Sequence, residues 1–331
     1  MQHFLAGFGR APRRLSVTPL PCWWCNLVLL LDADGERLVL RRYGITPPEE
    51  VLWELALLRH LGRHGFPTIA PLTRSDGAPH GAFGGLPAVL YPYVEGHDGC
   101  APALDPRRAM AETAATIARL HGLTRDLVLP HPRERSGSDS RRLVDGFLRF
   151  VGQRGIAPAE HTLAALAEDA ASQREAFGRR LAARAGVLPR GIVHHDAHCR
   201  NVLFRNGQLV ALIDFDDACP SFLAADLAVL LGSWALVGGP DGDGLPLDPG
   251  RAAHVLRAYE GVRPLTRAER ELLPDFLLLY LLGDGLVDVQ ARLEQGLPAE
   301  EAVAGCALYH RFRRFAAAPD WRAATRRALE A

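Results

Sequence analysis

The stretch Gly191-Ile192-Val193-His194-His195-Asp196-Ala197-His198-Cys199-Arg200-Asn201-Val202-Leu203-Phe204-Arg205-Asn206-Gly207-Gln208-Leu209-Val210-Ala211-Leu212-Ile213-Asp214-Phe215-Asp216-Asp217 is where the chain of 331 residues declares its organisation. Asn206-Gly207 lies between two apolar runs. Both central positions of a type I′ turn need positive φ, and these residue types reach it at little cost. A two-residue loop then sets a register, with Arg205 opposite Gln208, Leu203 opposite Val210 and Asn201 opposite Leu212. Counted this way, Asn201 and Asp214 fall at the same open end of the hairpin, and Asp196 sits on the loop feeding it. Two carboxylates and an amide converge there. Such oxygens hold a hard divalent cation, and a carboxylate among them can take a proton.

On either side of this segment the chain changes character. Upstream, β-rich runs over 26–32 and 36–43 flank Asp34-Gly35, a second hairpin signal. Pro47-Pro48 opens a helix over 49–64, where Val51, Leu55, Leu58 and Leu61 recur at helical spacing and Gly65 with Pro67 ends it. A strand is expected over 86–90 and a connector over 91–96. Beyond it the periodicity predicts helices over 107–121, 141–153, 159–185, 222–237, 249–260, 267–295 and 299–316, broken by 192–217. The residues between 130 and 140 read as a polar loop. An α+β, bilobal plan follows: a β-rich lobe over 1–93, a hinge near 91–96, and a mainly helical lobe over 94–331.

Composition narrows the function. Hydrophobic residues make up 48% and charged residues 23% of the chain, enough apolar material for a sizeable core. The formal net charge is zero, which favours neither a nucleic-acid nor a membrane-surface partner. The first residues hold no long apolar run, and Asp226 and Asp284 interrupt the most apolar stretches, so neither an export signal nor a membrane span is expected. Six cysteines in that setting read as reduced thiols in a cytoplasm. The chain has no lysine, so any task given to a lysine in related proteins falls here to an arginine.

Phosphoryl transfer needs the kind of cluster the hairpin assembles, because its catalysis is positioning plus charge stabilisation. His194-x-Asp196-x-x-x-x-Asn201 followed by Asp214-Phe215 is the kinase pairing of catalytic loop and metal loop. The segment resembles the aminoglycoside phosphotransferase and choline kinase superfamily, whose loop reads His-Gly-Asp-x-His-x-x-Asn. Within it, the stretches 38–43, 212–230 and 259–274 resemble the type II homoserine kinase branch, and the likeness spans about residues 15–295.

The resemblance implies a protein-kinase-like fold and transfer of the γ-phosphoryl group of ATP or GTP, with Mg²⁺, to a hydroxyl of a small metabolite or antibiotic. An amine acceptor is the lesser variant. By the same resemblance Asp196 is the catalytic carboxylate, Asn201 and Asp214 are metal ligands, and Asp216 assists them. His194 is structural, and His198 either approaches the transferring phosphate or braces the loop. Asp226 bonds the catalytic loop. Arg41 falls where the family places a phosphate-binding lysine, with Glu54 as its ion-pair partner. Tyr93 and Val94 belong to a hinge whose backbone faces the base.

Two departures stand out. The family's glycine-bearing turn over the phosphates is replaced by Pro21-Cys22-Trp23-Trp24-Cys25-Asn26, without a glycine, and His195 stands where a small residue is usual. Other readings stay open on the residues alone. Cys22-x-x-Cys25 is a redox pair or half a zinc site. His194, His195, His198 and Cys199 form a dense set of zinc-type ligands. Tyr280, Asp284 and Asp288 share one helix face, lining a substrate pocket or merely solvated. At the level of the whole chain, a non-catalytic kinase-like binding protein and a protein serine/threonine kinase are the alternatives.

Overall fold

In a computed structural model of the protein, residues 1–21, 26–131, 133, 140–237, 246–318 and 320–330 are described. The chain opens with α1 (Gln2–Ala6) and β1 (Leu15–Leu20), followed by β2 (Leu27–Ala33), β3 (Glu36–Arg42), α2 (Pro48–Arg63), β4 (Gly81–Phe83) and β5 (Leu86–Pro92). The five strands form one antiparallel sheet in the order β1-β2-β3-β5-β4. Asp34 and Gly35 have φ of 53° and 92°, the positive values expected for the β2–β3 turn.

Period-two alternation gives the sheet two faces. Leu29, Leu31, Leu38, Leu40, Ala88 and Leu90 point to one, where Phe4, Leu5 and Phe8 cover them. Val39, Tyr43, Val89 and Tyr91 pack in the other core, with Val51, Trp53, Leu55 and Leu58 of α2. Arg41 has the parity of Val39 and Tyr43, so the alternation that buries the leucines turns this arginine toward α2. Each fully buried leucine contributes roughly 1.5–3 kcal/mol, enough to fix the strand register and therefore the direction of Arg41.

The remainder is mainly helical: β6 (His97–Asp98), α3 (Pro106–Thr124), α4 (Ser140–Arg154), α5 (His161–Ala182), β7 (Arg190–Val193), β8 (Val202–Arg205), β9 (Gln208–Leu212), β10 (Cys219–Phe222), α6 (Ala224–Trp234), α7 (Pro249–Glu260), α8 (Arg267–Glu294), α9 (Ala299–Ala304), α10 (Ala307–Ala317) and α11 (Trp321–Glu330). α8 runs through the core between α4, α6 and α10. A capping box between Thr266 and Glu269 starts it. The single helix expected over 299–316 is two, because Gly305 and Cys306 end α9 and cap α10.

The β8–β9 hairpin corrects the sequence register. Asn206 and Gly207 take φ of 53° and 72°, and Arg205 does face Gln208. A bulge between Leu203 and Phe204 then shifts the pairing, so Leu203 faces Ala211 and Val202, not Asn201, faces Leu212. Asn201 still reaches the open end, since its carbonyl accepts from Ile213 N–H at 2.9 Å. A second correction concerns sulfur. Cys100 and Cys199 form a disulfide across a sequence separation of 99, where reduced thiols were expected. The fold brings their Cα atoms to 5.3 Å, inside the range a disulfide spans.

Candidate active site

The catalytic loop leaves β7 at Val193 and is held from beneath. Asp226, near the start of α6 and fully buried, accepts from His194 N–H at 2.8 Å and from His195 N–H at 2.6 Å. Its Oδ2 also meets His121 Nε2 at 2.9 Å, and His121 Nδ1 meets Tyr259 Oη at 2.6 Å. Burial disfavours the charge on Asp226, but the His121 hydrogen bond and charge together with the contacts from His194 outweigh it and hold the carboxyl below its usual range. His195 has φ of 66°, a region open to glycine and costly for a side chain, which accounts for the small residue usual in the family. The bond from His195 N–H to Asp226 offsets that strain.

His194 ties the two catalytic segments together. Its Nδ1 accepts from Asp196 N–H at 3.2 Å, which leaves Nε2 to donate to Ile213 C=O at 3.0 Å. The ring lies edge-on to Phe215, and burial lowers its pKa, keeping it neutral as this pair of bonds requires. The structural role expected of His194 matches these contacts.

Asn201 donates through Nδ2 both to Asp196 C=O at 2.9 Å and to Asp196 Oδ2 at 2.7 Å. With both amide hydrogens so used, Oδ1 is the atom left for a cation. Asp214 has φ of 64°, and its carboxylate stands in the cleft with 45% exposure. Asn201 Oδ1 and the Asp214 carboxylate are hard oxygens of the kind Mg²⁺ takes while keeping several waters, so the residues fit that ion. His198 caps the short turn Cys199–Asn201 through Nδ1, and its Nε2 lies 3.5 Å from Asp196 Oδ2.

The zinc alternative does not match this geometry. His194 is spent on the backbone, Cys199 is in the disulfide, and among the described residues no three His, Cys, Asp or Glu converge as a metal-binding group.

Across the cleft, Arg41 reaches from β3 to three carboxylates. One terminal nitrogen is 3.6 Å from Glu54 Oε1, and the other is 3.1 Å from Asp214 Oδ1 and also bonds Asp216. Glu54 is pushed up to about 7, mainly by burial and partly offset by Arg41, and it accepts from Tyr43 Oη at 3.1 Å. Arg41 and Glu54 are therefore not a solvated surface pair. Asp216 faces the sheet, binding Arg41 and accepting from Asn26 Nδ2 at 2.7 Å. These contacts place Asp216 as a bridge between the two walls. Cys22, Trp23, Trp24 and Cys25 lie outside the described residues, and with them the glycine-free turn and the Cys-x-x-Cys reading. In the connector, Tyr93 N–H donates to Arg37 C=O at 3.1 Å and its ring lies under the Arg37 guanidinium, so that N–H is not available to a base.

Beside Asp196, α8 presents Tyr280 and Asp284. The Tyr280 ring lies so close against Gly232 that no Cβ would fit there, and burial, followed by Asp284, pushes its hydroxyl well up. Asp284 is raised to about 7 by burial and then by Asp217. Asp196 is raised to about 8 by burial, followed by Asp217, Asp214 and Asp284. Asp288, on the same face, pairs instead with Arg292 at 3.0 Å. Sequence reasoning missed Arg133. It sits in the loop read as solvated, yet its side chain is 1% exposed and binds Ala218 C=O, Glu50 and Asp216 C=O. Nothing local marks it, since an arginine among proline and serine reads as surface.

A family model described as the phosphotransferase enzyme family matches residues 17–272. The chain belongs to that family. Among relatives of this phosphotransferase, the homoserine kinase of Rhodospirillum rubrum is 31% identical over 249 residues, 75% of this chain and 71% of the relative. That of Neisseria meningitidis is 27% identical over 274 residues, 83% of this chain and 82% of the relative. The fold is shared with an amicoumacin kinase solved with AMP-PNP, Ca²⁺ and its antibiotic, with a TM-score of 0.69, 19% identity and coverage of 90% of this chain and 88% of that one. It is shared too with a microcompartment-associated aminopropanol kinase, with a TM-score of 0.67, 18% identity and coverage of 95% and 94%. The phosphotransferase is an enzyme acting on hydroxyl groups, a small-molecule kinase with homoserine kinases among its relatives. That sets aside the non-catalytic and protein-kinase alternatives. No helix among its described residues is long and apolar enough to cross a membrane.

Proposed function

We propose that this phosphotransferase moves the γ-phosphoryl group of ATP to the hydroxyl of a small molecule that also carries an ammonium group, homoserine or a short amino alcohol. What supports this reading is the acidic surroundings of Asp196, where Asp217, Asp214 and Asp284 all disfavour its charge. Burial raises both Asp196 and Asp284 and repulsion among the carboxylates adds to it; an ammonium there relieves that repulsion, and an anionic or purely apolar acceptor does not. Homoserine kinases among the relatives and the aminopropanol kinase of like fold favour the same chemistry.

Residues 1–93 and 94–331 act as two lobes about a hinge at 91–96, with the nucleotide between them. Val94, rather than Tyr93 N–H, meets the base. Arg41 exchanges its carboxylate partners for phosphate oxygens, with Glu54 holding it from behind. Asn201 Oδ1 and Asp214 hold Mg²⁺, which neutralises charge on the phosphate oxygens. Asp196, a carboxylate tuned upward toward neutrality, accepts the proton of the acceptor hydroxyl as its oxygen attacks phosphorus. His198 keeps Asp196 and the turn that carries Asn201 in register. ATP is preferred to GTP as donor on the strength of the AMP-PNP complex of the same fold.

The test is ADP release with L-homoserine, aminopropanol, choline and an aminoglycoside, beside hydroxy acids lacking nitrogen. Turnover confined to the nitrogenous acceptors, falling about 10³-fold in Asp196→Asn with ATP affinity retained, is the expected result. Equal turnover of the nitrogen-free acceptors would sink the ammonium assignment.

A further inference from the structure

Beyond phosphoryl transfer, the catalytic loop carries chemistry of its own. Cys199 sits between His198 and Asn201, in the turn that presents the metal-holding amide. Its partner Cys100 follows β6, just past the connector. The two strands of chain are already in close contact. Gly99 N–H donates to Cys199 C=O at 2.7 Å, and a Cβ on Gly99 would meet that oxygen at 2.9 Å and Val202 at 2.8 Å. Trp234 Nε1 donates to Ala197 C=O at 3.1 Å from the other side. The strand that brings Cys100 here is only His97–Asp98, and both residues are exposed. Two residues of ladder hold a loop weakly, so the disulfide is the main tether between this segment and the catalytic turn.

Accessibility separates this pair from the other described cysteines. Cys219 and Cys306 are buried, whereas Cys100 is exposed and Cys199 half-buried. Of the bonded pair, Cys100 is therefore the end more open to a reagent thiolate. β6 pairs with β8, so both ends of the bond lie on the helical side of the connector, and the tether leaves movement at 91–96 unrestrained.

We propose that Cys100 and Cys199 form a reversible thiol–disulfide site that sets the rigidity of the catalytic loop, opened by two equivalents of a low-molecular-weight thiol and closed by a low-molecular-weight disulfide. In opening, a reductant thiolate attacks Sγ of Cys100, the S–S bond breaks, and Cys199 leaves as a thiolate that takes a proton. The second reductant thiol then attacks the mixed disulfide and frees Cys100. The protein gains two electrons and two protons, and the reductant ends as a disulfide. Closing is the reverse exchange with a disulfide such as oxidised glutathione. The bonded state coexists with the Asn201–Asp196 hydrogen bonds, so the oxidised loop is the one with metal-binding geometry in place. Opening loosens the turn, and a displacement near 1 Å at reacting groups costs up to about 10²-fold in rate.

The inference about rate rests on the kinase reading; the bond and its effect on the loop do not. Full-length protein would be equilibrated in glutathione buffers from oxidised to reduced, alkylated, and mapped by peptide mass spectrometry, which separates a Cys100–Cys199 link from any involving Cys22 or Cys25. Amide exchange over 196–204 and steady-state kinetics would be read on the same samples. We expect the link in oxidised buffer and its loss in millimolar reduced glutathione. With the loss, exchange should rise about tenfold over that segment, and kcat should fall about 3- to 10-fold with the nucleotide KM within about twofold. Cys100→Ser should behave as the reduced enzyme in every buffer. Absence of the link in oxidised buffer overturns the proposal, and so does a link whose opening changes neither exchange nor kcat. If no acceptor is turned over while link and exchange respond as expected, the kinase reading fails and the thiol site stands.

Discussion

The two walls of the cleft are built on different principles. The wall around Asp196 is fixed by bonds within the fold: backbone N–H groups to buried Asp226, His194 between two backbone segments, and the Asn201 amide on Asp196. None of these has to break for a nucleotide to bind. The wall around Arg41 is held mainly by charge, with one guanidinium shared among Glu54, Asp214 and Asp216 beside the Tyr43–Glu54 and Asn26–Asp216 hydrogen bonds. Those pairs must be exchanged when phosphates arrive. One wall is preorganised; the other is a set of provisional partners waiting for a ligand. Damage to the first should therefore show as lost stability, and damage to the second as lost affinity.

Asp226→Asn tests the first half most severely. The amide can accept one of the two N–H bonds, but its NH₂ then faces the other donor in a fully buried site. A loss of about 2–4 kcal/mol in unfolding free energy is expected from chemical denaturation, with unchanged slope. Arg41→Met tests the second half. We expect kcat/KM for ATP to fall about 10²-fold. The neighbouring carboxylates adapt, Glu54 by taking up a proton, so the stability loss should be smaller than that of Asp226→Asn. If Arg41→Met proves the more destabilising of the two, the contrast between the walls is wrong.

A smaller effect belongs to Asp284. Its folded pKa, about 7, lies above its value in the unfolded chain. Below about pH 4 both states are protonated and the group costs nothing. As pH rises from about 4 to 7 the unfolded chain ionises first, so stability is lost across that window and stays lost above it. Asp284→Asn should therefore stabilise the protein at pH 8 by about 1–2 kcal/mol, after allowance for solvent screening of a half-buried group, and by nearly nothing at pH 4. The same variant should raise KM for the nitrogenous acceptor. Thermal melts at the two pH values, beside acceptor kinetics, would show whether the cost serves substrate binding.

How far the sequence told these walls apart depends on the kind of signal. Asn206-Gly207 announced its turn because few residue pairs hold two positive φ values, and Asp196, Asn201 and Asp214 followed from it. The bulge at Leu203–Phe204 was not legible, since neither residue demands irregular backbone and the slip is settled by packing. Arg41 was found through the family resemblance, which places a phosphate-binding cation at that strand position, while its reach to Asp214 and Asp216 depends on how the walls close. β1 and α1 went unread for different reasons: β1 is a short exposed edge strand whose pattern Pro19 interrupts, and α1 is too short to show a period. Cys100 and Cys199 could not be paired from sequence, because nothing local brings together residues 99 positions apart.

The central claim is that Asp214 and Asn201, placed by the hairpin, hold the metal of a nucleotide complex. Calorimetric titration of ATP with and without Mg²⁺, into the wild type and Asp214→Ala, tests it most directly. The account predicts binding that Mg²⁺ strengthens about tenfold or more in the wild type, and a variant in which the metal makes no difference. Binding to the wild type that is indifferent to Mg²⁺, or metal dependence that survives Asp214→Ala, would contradict it.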